Sequence, residues 1–395
     1  MSKKRVLNGN QAAAIGAKLA RVDVIPCFPI TPNVDLIETL AKMIRDGEMK
    51  AKYVCPESEH AAMSICAGAS AAGARAFTAS GSQGIVFMEE VLWMVPGLRL
   101  PVVMCVCNRS IAFPGLIQST HSDSLLQRDC GWIQFYCETP QEVLDTCVQS
   151  FKVAENEDVY LPAMFCQDAF SVTHTATPVD IPDQADIDAF LPPYKHRYVQ
   201  LDPDVPQEIL FGLEDEAETE YRYQMEQAME NAKKVIEDVD REYASALGRS
   251  YGGLIEKYRC EDAEVVLVTM GSLTGTARVS VDKMRDEGKP VGLLKLRVFR
   301  PFPTEEVRRA LCKAKAVGFV DRNFSLGSAK GGIGCTEMAR ALYGMESRPY
   351  LLNFIAGLGG RDVTVQQFEY MTNKMFEACS KGRVEREVEW IQLRA

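Results

Sequence analysis

The sequence predicts a doubly wound α/β protein, with parallel sheets covered on both faces by helices, arranged in two successive units. Three observations carry that reading. Apolar runs of strand length alternate with helical patterns through the first third of the chain. Those runs lack the in–out alternation of a half-solvated sheet, as strands buried on both faces do. The same alternation restarts at Ala263, after a long acidic stretch.

The first strand is expected at Val24-Ile-Pro-Cys-Phe28, followed by the turn Pro29-Ile-Thr-Pro32 and a helix carrying Leu36, Ile37, Leu40 and Ile44. Tyr53-Val-Cys55 leads through Pro56-Glu-Ser-Glu59 into a segment, Ala61 to Gly73, made almost wholly of small residues. That composition predicts a closely packed helix, with Glu57 and Glu59 at its start. A carboxylate there is favoured by the free N–H groups and the helix dipole, and Glu57 is the expected cap. Arg75-Ala-Phe-Thr-Ala79 runs into the loop Ser80-Gly-Ser-Gln-Gly84 and a helix with Ile85, Met88, Val91 and Leu92. Pro101-Val-Val-Met-Cys-Val-Cys107 ends at Asn108-Arg-Ser110; Val143–Ala154 reads as a helix and Leu161–Cys166 as a strand. The Pro- and Asp-rich residues from Val172 to Pro206 suggest a surface excursion. Leu213 to Asn231 holds seven acidic residues against one arginine and opens a helix whose apolar positions step by three and four. In the second unit Glu264–Met270, Val291–Leu296 and Ala316–Val320 are strands. The turns Gly271-Ser272, Gly331-Gly-Ile-Gly334 and Gly357-Leu-Gly-Gly360 lack the full dinucleotide fingerprint and read as close-packed turns. The boundaries are 1–205, an acidic helical connector at 206–260, and 261–395.

At 395 residues the chain has room for two domains and a connector. Its 47% apolar and 25% charged residues are ordinary for a soluble globular protein. A net charge of −10 without a basic run argues against a nucleic-acid surface. No apolar segment follows Met1-Ser-Lys-Lys-Arg5, and no stretch approaches the roughly 18–20 apolar residues that span a bilayer. A cytoplasmic location is therefore expected, with neither nucleic-acid nor membrane partners. The thirteen cysteines fall mostly in apolar runs, as buried thiols in a reducing compartment do. There is no Cys-x-x-Cys pair, and the four histidines (His60, His121, His174, His196) lack ligand spacing, so no metal is expected on this chain.

In a sheet of this kind ligands bind beyond the carboxyl ends of the strands. Thr31, Glu59, the Ser80–Gly84 loop and Arg109 each follow a predicted strand and should gather on one edge. Arginine grips a carboxylate through two parallel hydrogen bonds. A glutamate bordered by small apolar residues suits proton transfer.

These residues also carry a family resemblance. Phe28-Pro-Ile-Thr-Pro32, Glu57-Ser-Glu-His60, Ser82-Gln-Gly84, Gly97-Leu-Arg-Leu-Pro101, His121-Ser-Asp123, Gly131-Trp132 and Gly357-Leu-Gly-Gly-Arg-Asp362 occur in this order. Together they resemble alpha subunits of 2-oxoacid:ferredoxin oxidoreductases of the pyruvate type, over nearly the whole chain. The resemblance implies a pyrimidine-side thiamine-diphosphate-binding domain at 1–205 and a smaller α/β domain similar to the transketolase C-terminal domain at 261–395. It implies oxidative cleavage of the C–C bond beside a carboxylate, with release of CO2 and two electrons. Glu59 would hydrogen-bond the cofactor's aminopyrimidine, with Pro29, Ser82 and Gln83 beside the cofactor. Thr31 and Arg109 would hold the substrate's oxygens and carboxylate, with Phe28 and Gln118 nearby. No Gly-Asp-Gly with a downstream Asn is present, nor any cluster-binding cysteine set. Mg2+ and the diphosphate half are thus expected on a beta subunit, and [4Fe-4S] clusters on gamma and ferredoxin-like delta subunits that feed ferredoxin.

The chain departs from the family pattern at Phe28, where Tyr is usual, and through Phe113-Pro-Gly-Leu-Ile-Gln-Ser-Thr120. Thr120 in place of an acidic residue would favour a substrate with a second carboxylate. That points towards oxalate oxidoreductase, with pyruvate as the other reading. A thiamine-diphosphate enzyme without electron transfer and a catalytically vestigial scaffold subunit stand as further alternatives.

Overall fold

The computed structural model describes residues 3–112, 114–195, 197–198, 201–207 and 217–394. Phe113, His196 and residues 213–216 of the acidic stretch lie outside that range.

The first unit contributes the strands β1 (Lys3–Leu7), β2 (Val24–Pro26), β3 (Lys52–Val54), β4 (Phe77–Ser80), β5 (Val103–Asn108), β6 (Ile133–Tyr136), β7 (Ala163–Asp168) and β8 (Thr177–Ile181). Its helices are α1 (Gly9–Leu19), α2 (Val34–Arg45), α3 (Glu59–Ala71), α4 (Gln83–Phe87), α5 (Glu89–Gly97), α6 (Ser122–Leu126), α7 (Pro140–Ala154) and α8 (Gln184–Phe190). The long helix α9 (Ala217–Leu247) leads to the second unit. There the order is β9 (Ile255–Tyr258), β10 (Val265–Thr269), α10 (Leu273–Asp286), β11 (Val291–Leu296), β12 (Val298–Arg300), α11 (Thr304–Leu311), β13 (Ala316–Asp321), α12 (Ile333–Tyr343), β14 (Tyr350–Ile355), α13 (Val365–Lys381) and β15 (Val388–Trp390).

The first large sheet has the order β12–β6–β7–β5–β4, and every pairing is parallel except that of β12 with β6. A parallel bridge from Val24 to Ala76 sets the pair β2–β3 alongside β4. The second sheet runs β15–β14–β13–β10–β11–β9, with β9 alone antiparallel. The unalternating runs are explained by burial: β5, β7, β11 and β13 are buried along their whole length. Each fully buried Leu, Val or Phe contributes roughly 1.5–3 kcal/mol over leaving it in water. Trp132 is fully buried, and its indole N–H is satisfied by the carbonyl of Leu92 at 2.8 Å.

Some elements differ from the sequence reading. The expected helix through Ile85 and Leu92 breaks at Met88 into α4 and α5. The second sheet takes β9 from residues assigned to the connector, and β12 crosses back to close an edge of the first sheet. The helix α9 buries Ala228, Ala232, Ile236, Val239 and Tyr243, its periodic face. Tyr243 reaches Asp145 on α7 at 2.6 Å, and Arg249 meets the same carboxylate at 2.6 Å. Among the described residues no helix is long and apolar enough to cross a membrane.

Candidate active site

Because β2 to β7 run parallel, the loops at their carboxyl ends gather on one edge. The first of these, after β2, holds Phe28 half-buried, with Pro29 and Thr31 exposed. Asn33, fully buried, fastens it: its Oδ1 accepts the amide of Ile30 at 3.0 Å and its Nδ2 donates to the carbonyl of Ala79 in β4 at 2.9 Å.

After β3, Ser58 caps α3, its Oγ accepting the amide of Ala61 at 3.2 Å. The expectation that Glu57 is the cap is thereby corrected. Glu57 stays exposed and accepts only the Ser58 hydroxyl at 3.5 Å, because its side chain precedes the extended cap residue. Glu59, in the first turn, is only 7% exposed. Its carboxyl makes no hydrogen bond or ion pair among the described residues, so its oxygens are free to meet a ligand. It lies against Gly84: a methyl group added there would collide with Ser80 and sit 2.6 Å from Oε1 of Glu59. The hydroxyl of Ser80 is fully buried and has no partner.

After β4, Ser82 adopts a left-handed φ of +56°, a strained conformation for a residue with a side chain. Its amide donates to Asp123 Oδ2 at 2.8 Å, and its hydroxyl bonds the carbonyl of Ser110 and the side chain of Gln83, which is half-buried. After β5, the amide of Arg109 donates to the same oxygen of Asp123 at 2.9 Å. The Arg109 guanidinium donates from Nη1 to the carbonyl of Thr31 at 2.9 Å and from Nε to that of Leu116 at 3.2 Å. Thr31 therefore meets Arg109 through its backbone. The structure joins Glu59, Gly84, Ser82, Asp123, Arg109 and Thr31 in one chain of contacts.

Gln118 sits further along. Its carbonyl accepts the amide of Ser110 at 3.0 Å, closing the loop base, and its side chain packs on Gly360, where a methyl group would come within 2.6 Å. Thr120 is buried with an unpartnered hydroxyl. The adjoining residues meet the second unit at Asp168, the last residue of β7. Its carboxylate accepts from Ser119 at 2.6 Å, from His121 Nε2 at 2.8 Å and from the Ser272 amide at 2.8 Å, and pairs with Arg322 at 3.0 Å. Burial pushes the Asp168 carboxyl up, but Arg322 and His121 outweigh it and hold it well below the usual range. In the same way Asp321 accepts the amides of Gly334 and Cys335, both at 3.0 Å. The turns at Gly271-Ser272 and Gly331–Gly334 are thus filled by the protein's own carboxylates.

Sequence reasoning assigned no role to Asp123, Asn33, Asp168 or Arg322. One signal was available: β5, β7 and β13 are apolar runs that end in Asn108, Asp168 and Asp321, a polar residue at each carboxyl end.

The aminopyrimidine half of thiamine diphosphate fits this arrangement on two observations. The Glu59 carboxyl has no partner among the described residues, and it and the unpartnered Ser80 hydroxyl both pack against Gly84, where only a glycine fits.

Comparison with known proteins gives the family. Residues 15–241 match the model of the family described as pyruvate flavodoxin/ferredoxin oxidoreductase, thiamine diphosphate-binding. Residues 263–368 match pyruvate:ferredoxin oxidoreductase core domain II. The chain is 46% identical to pyruvate synthase subunit PorA of Methanothermobacter thermautotrophicus over 99% of this chain and 98% of that one. It is 44% identical to ketoisovalerate oxidoreductase subunit VorA of Pyrococcus abyssi, again over 99% and 98%. In fold it resembles 2-oxoglutarate:ferredoxin oxidoreductase from Magnetococcus marinus, with a TM-score of 0.72 at 16% identity over 95% of this chain and 65% of that longer one. A split-gene transketolase gives a TM-score of 0.55 at 12% identity over 93% and 97%. None of these relatives is named for oxalate, so the oxalate expectation drawn from Phe28 and Thr120 is not borne out.

Proposed function

The chain belongs to the pyruvate flavodoxin/ferredoxin oxidoreductase family as an alpha subunit of a thiamine-diphosphate-dependent 2-oxoacid:ferredoxin oxidoreductase, and from that premise we propose that its substrate is pyruvate and that Glu59 and Arg109 act on it. The observation that carries the assignment is the Glu59 carboxyl, without a partner among the described residues, packed on Gly84 of the loop that shares Asp123 with Arg109.

When bound, thiamine diphosphate supplies a carbon nucleophile and a sink for the electrons left by departing CO2. Glu59 holds a proton between its carboxyl and the pyrimidine ring nitrogen, in a surround of small apolar side chains. Pro29, Ser82 and Gln83 border that ring. Arg109, fixed by two carbonyls, turns its remaining N–H groups to the substrate carboxylate. Thr31 offers a hydroxyl to the substrate's oxygens, and Phe28 and Gln118 flank it.

In this reading residues 1–205 hold the pyrimidine side, 206–260 connect, and 261–395 brace the substrate loop. A beta subunit holds the diphosphate and Mg2+, while gamma and ferredoxin-like delta subunits carry [4Fe-4S] clusters that pass electrons to ferredoxin. Exposed apolar side chains support a partner at this edge: Val86 and Phe87 follow Gly84, and Leu116 and Ile117 lie on the loop bonded to Arg109.

The test assays the assembled complex with pyruvate, 2-ketoisovalerate and oxalate, each with and without coenzyme A. Pyruvate should give the highest kcat/KM and require coenzyme A. Preferred turnover of oxalate without coenzyme A would overturn the substrate assignment. Glu59→Gln should lower kcat by about 10²–10⁴-fold.

A further inference from the structure

Two loops carry the proposed chemistry, and one buried side chain ties them together. Asp123 is fully buried on α6, away from Glu59 and the Arg109 guanidinium. Its Oδ2 accepts the amides of Ser82 at 2.8 Å and Arg109 at 2.9 Å. Its Oδ1 accepts Nδ2 of Asn108 at 2.8 Å and the amide of Ser124 at 2.9 Å. All four partners are donors, so only an ionised carboxylate, which accepts at every lone pair, satisfies them together. An amide at position 123 would turn an N–H group towards donors. Among the described residues no ion pair forms with the carboxylate, and burial pushes its carboxyl up against the opposing pull of these bonds.

What the bonds hold matters more than their number. Ser82 is the strained residue whose loop lays Gly84 against the Glu59 carboxyl. Arg109 directs its guanidinium between the Thr31 and Leu116 carbonyls. Because one oxygen accepts both amides, neither loop shifts without straining the other bond. We infer that Asp123 is a positioning residue that sets the cofactor-facing Ser82–Gly84 loop and the substrate-facing Arg109 in a single frame. The inference rests on the proposed roles of Glu59 and Arg109. It goes beyond them in coupling cofactor affinity to substrate affinity through a group that touches neither.

The test uses the assembled complex and two readouts besides turnover: thiamine diphosphate affinity by titration calorimetry, and thermal unfolding. Asp123→Asn should weaken thiamine diphosphate binding and raise the KM for pyruvate together, each by about tenfold or more, the equivalent of one charged hydrogen bond. Asp123→Asn combined with Asn108→Asp returns the carboxylate to its neighbour, letting the new amide donate to it while its oxygen faces Ser82 and Arg109. That pair should recover part of both affinities, since the exchange repairs the contact with residue 108 while the Ser124 amide still meets a donor. Wild-type cofactor affinity and KM in Asp123→Asn would overturn the inference, as would a folded double variant without recovery. If Glu59→Gln and Arg109→Gln also leave turnover intact, the site assignment itself falls. If they abolish it while Asp123→Asn behaves as wild type, only the coupling falls.

Discussion

Gly84 shows how narrowly the site is specified at the scale of single residues. The Glu59 carboxyl occupies the volume a side chain at position 84 would need, with Oε1 2.6 Å from an added methyl carbon. Gly84→Ala should therefore rotate Glu59 out of position while leaving the distant core untouched. Thiamine diphosphate affinity should fall by about tenfold or more, with little change in the unfolding midpoint. A variant that binds the cofactor as the wild type does would show that Glu59 does not face it. The residues proposed to face ligands stood out because their chemistry is unusual for their place: a glutamate opening a helix of alanines, an arginine following an apolar strand. Asp123 and Asn33 did not, since a buried polar residue that bonds mostly backbone looks like any loop residue until its partners are known.

At the scale of elements, α12 carries a consequence of burial. Asp321 ends β13 and fills the start of that helix, accepting from Asn323 and Asn353 at 2.9 Å and from the amides of Gly334 and Cys335. Burial outweighs these donors and pushes its carboxyl up to about 6. With the folded value raised above the unfolded one, protonation favours the fold. The stabilisation is fully present below about pH 4 and is lost as pH rises through about 6, amounting to about 3 kcal/mol. Asp321→Asn cannot titrate. Relative to that variant, the wild type should lose about 3 kcal/mol of urea-unfolding free energy between about pH 4 and pH 7, whatever the variant's absolute stability. Parallel pH dependences would refute the assignment. The strands divide on the ground of burial as well. Long runs buried on both faces, such as β5, β10 and β11, were readable from composition. Short edge strands such as β12 and β15 were not, because they are defined by partners far away in sequence.

The whole molecule is interlocked, which no local pattern announces. β12 leaves the second unit to pair with β6, and its approach carries Lys295 and Arg297 into the interior of the first. Lys295 sits 2.6 Å from Glu142 on α7, and Arg297 donates to Gln149 at 2.8 Å. Such a buried set fixes how the two units meet, since removing one member strands the others. Against that rigid body the edge proposed for catalysis carries exposed apolar side chains. Phe87, at the end of α4, is 58% exposed, with its ring 6.3 Å from that of His60, the neighbour of Glu59. An apolar surface beside a half-finished site is what a partner subunit would cover. The chain alone, supplied with thiamine diphosphate, pyruvate, coenzyme A and an electron acceptor, should give no turnover, and adding the remaining subunits should restore it. Phe87→Glu should keep the wild-type circular dichroism and unfolding midpoint yet fail to co-elute with those subunits, because a buried unpaired carboxylate costs several kcal/mol at an interface. Robust turnover by the isolated chain, or wild-type assembly by Phe87→Glu, would place the missing half of the site elsewhere than over this edge.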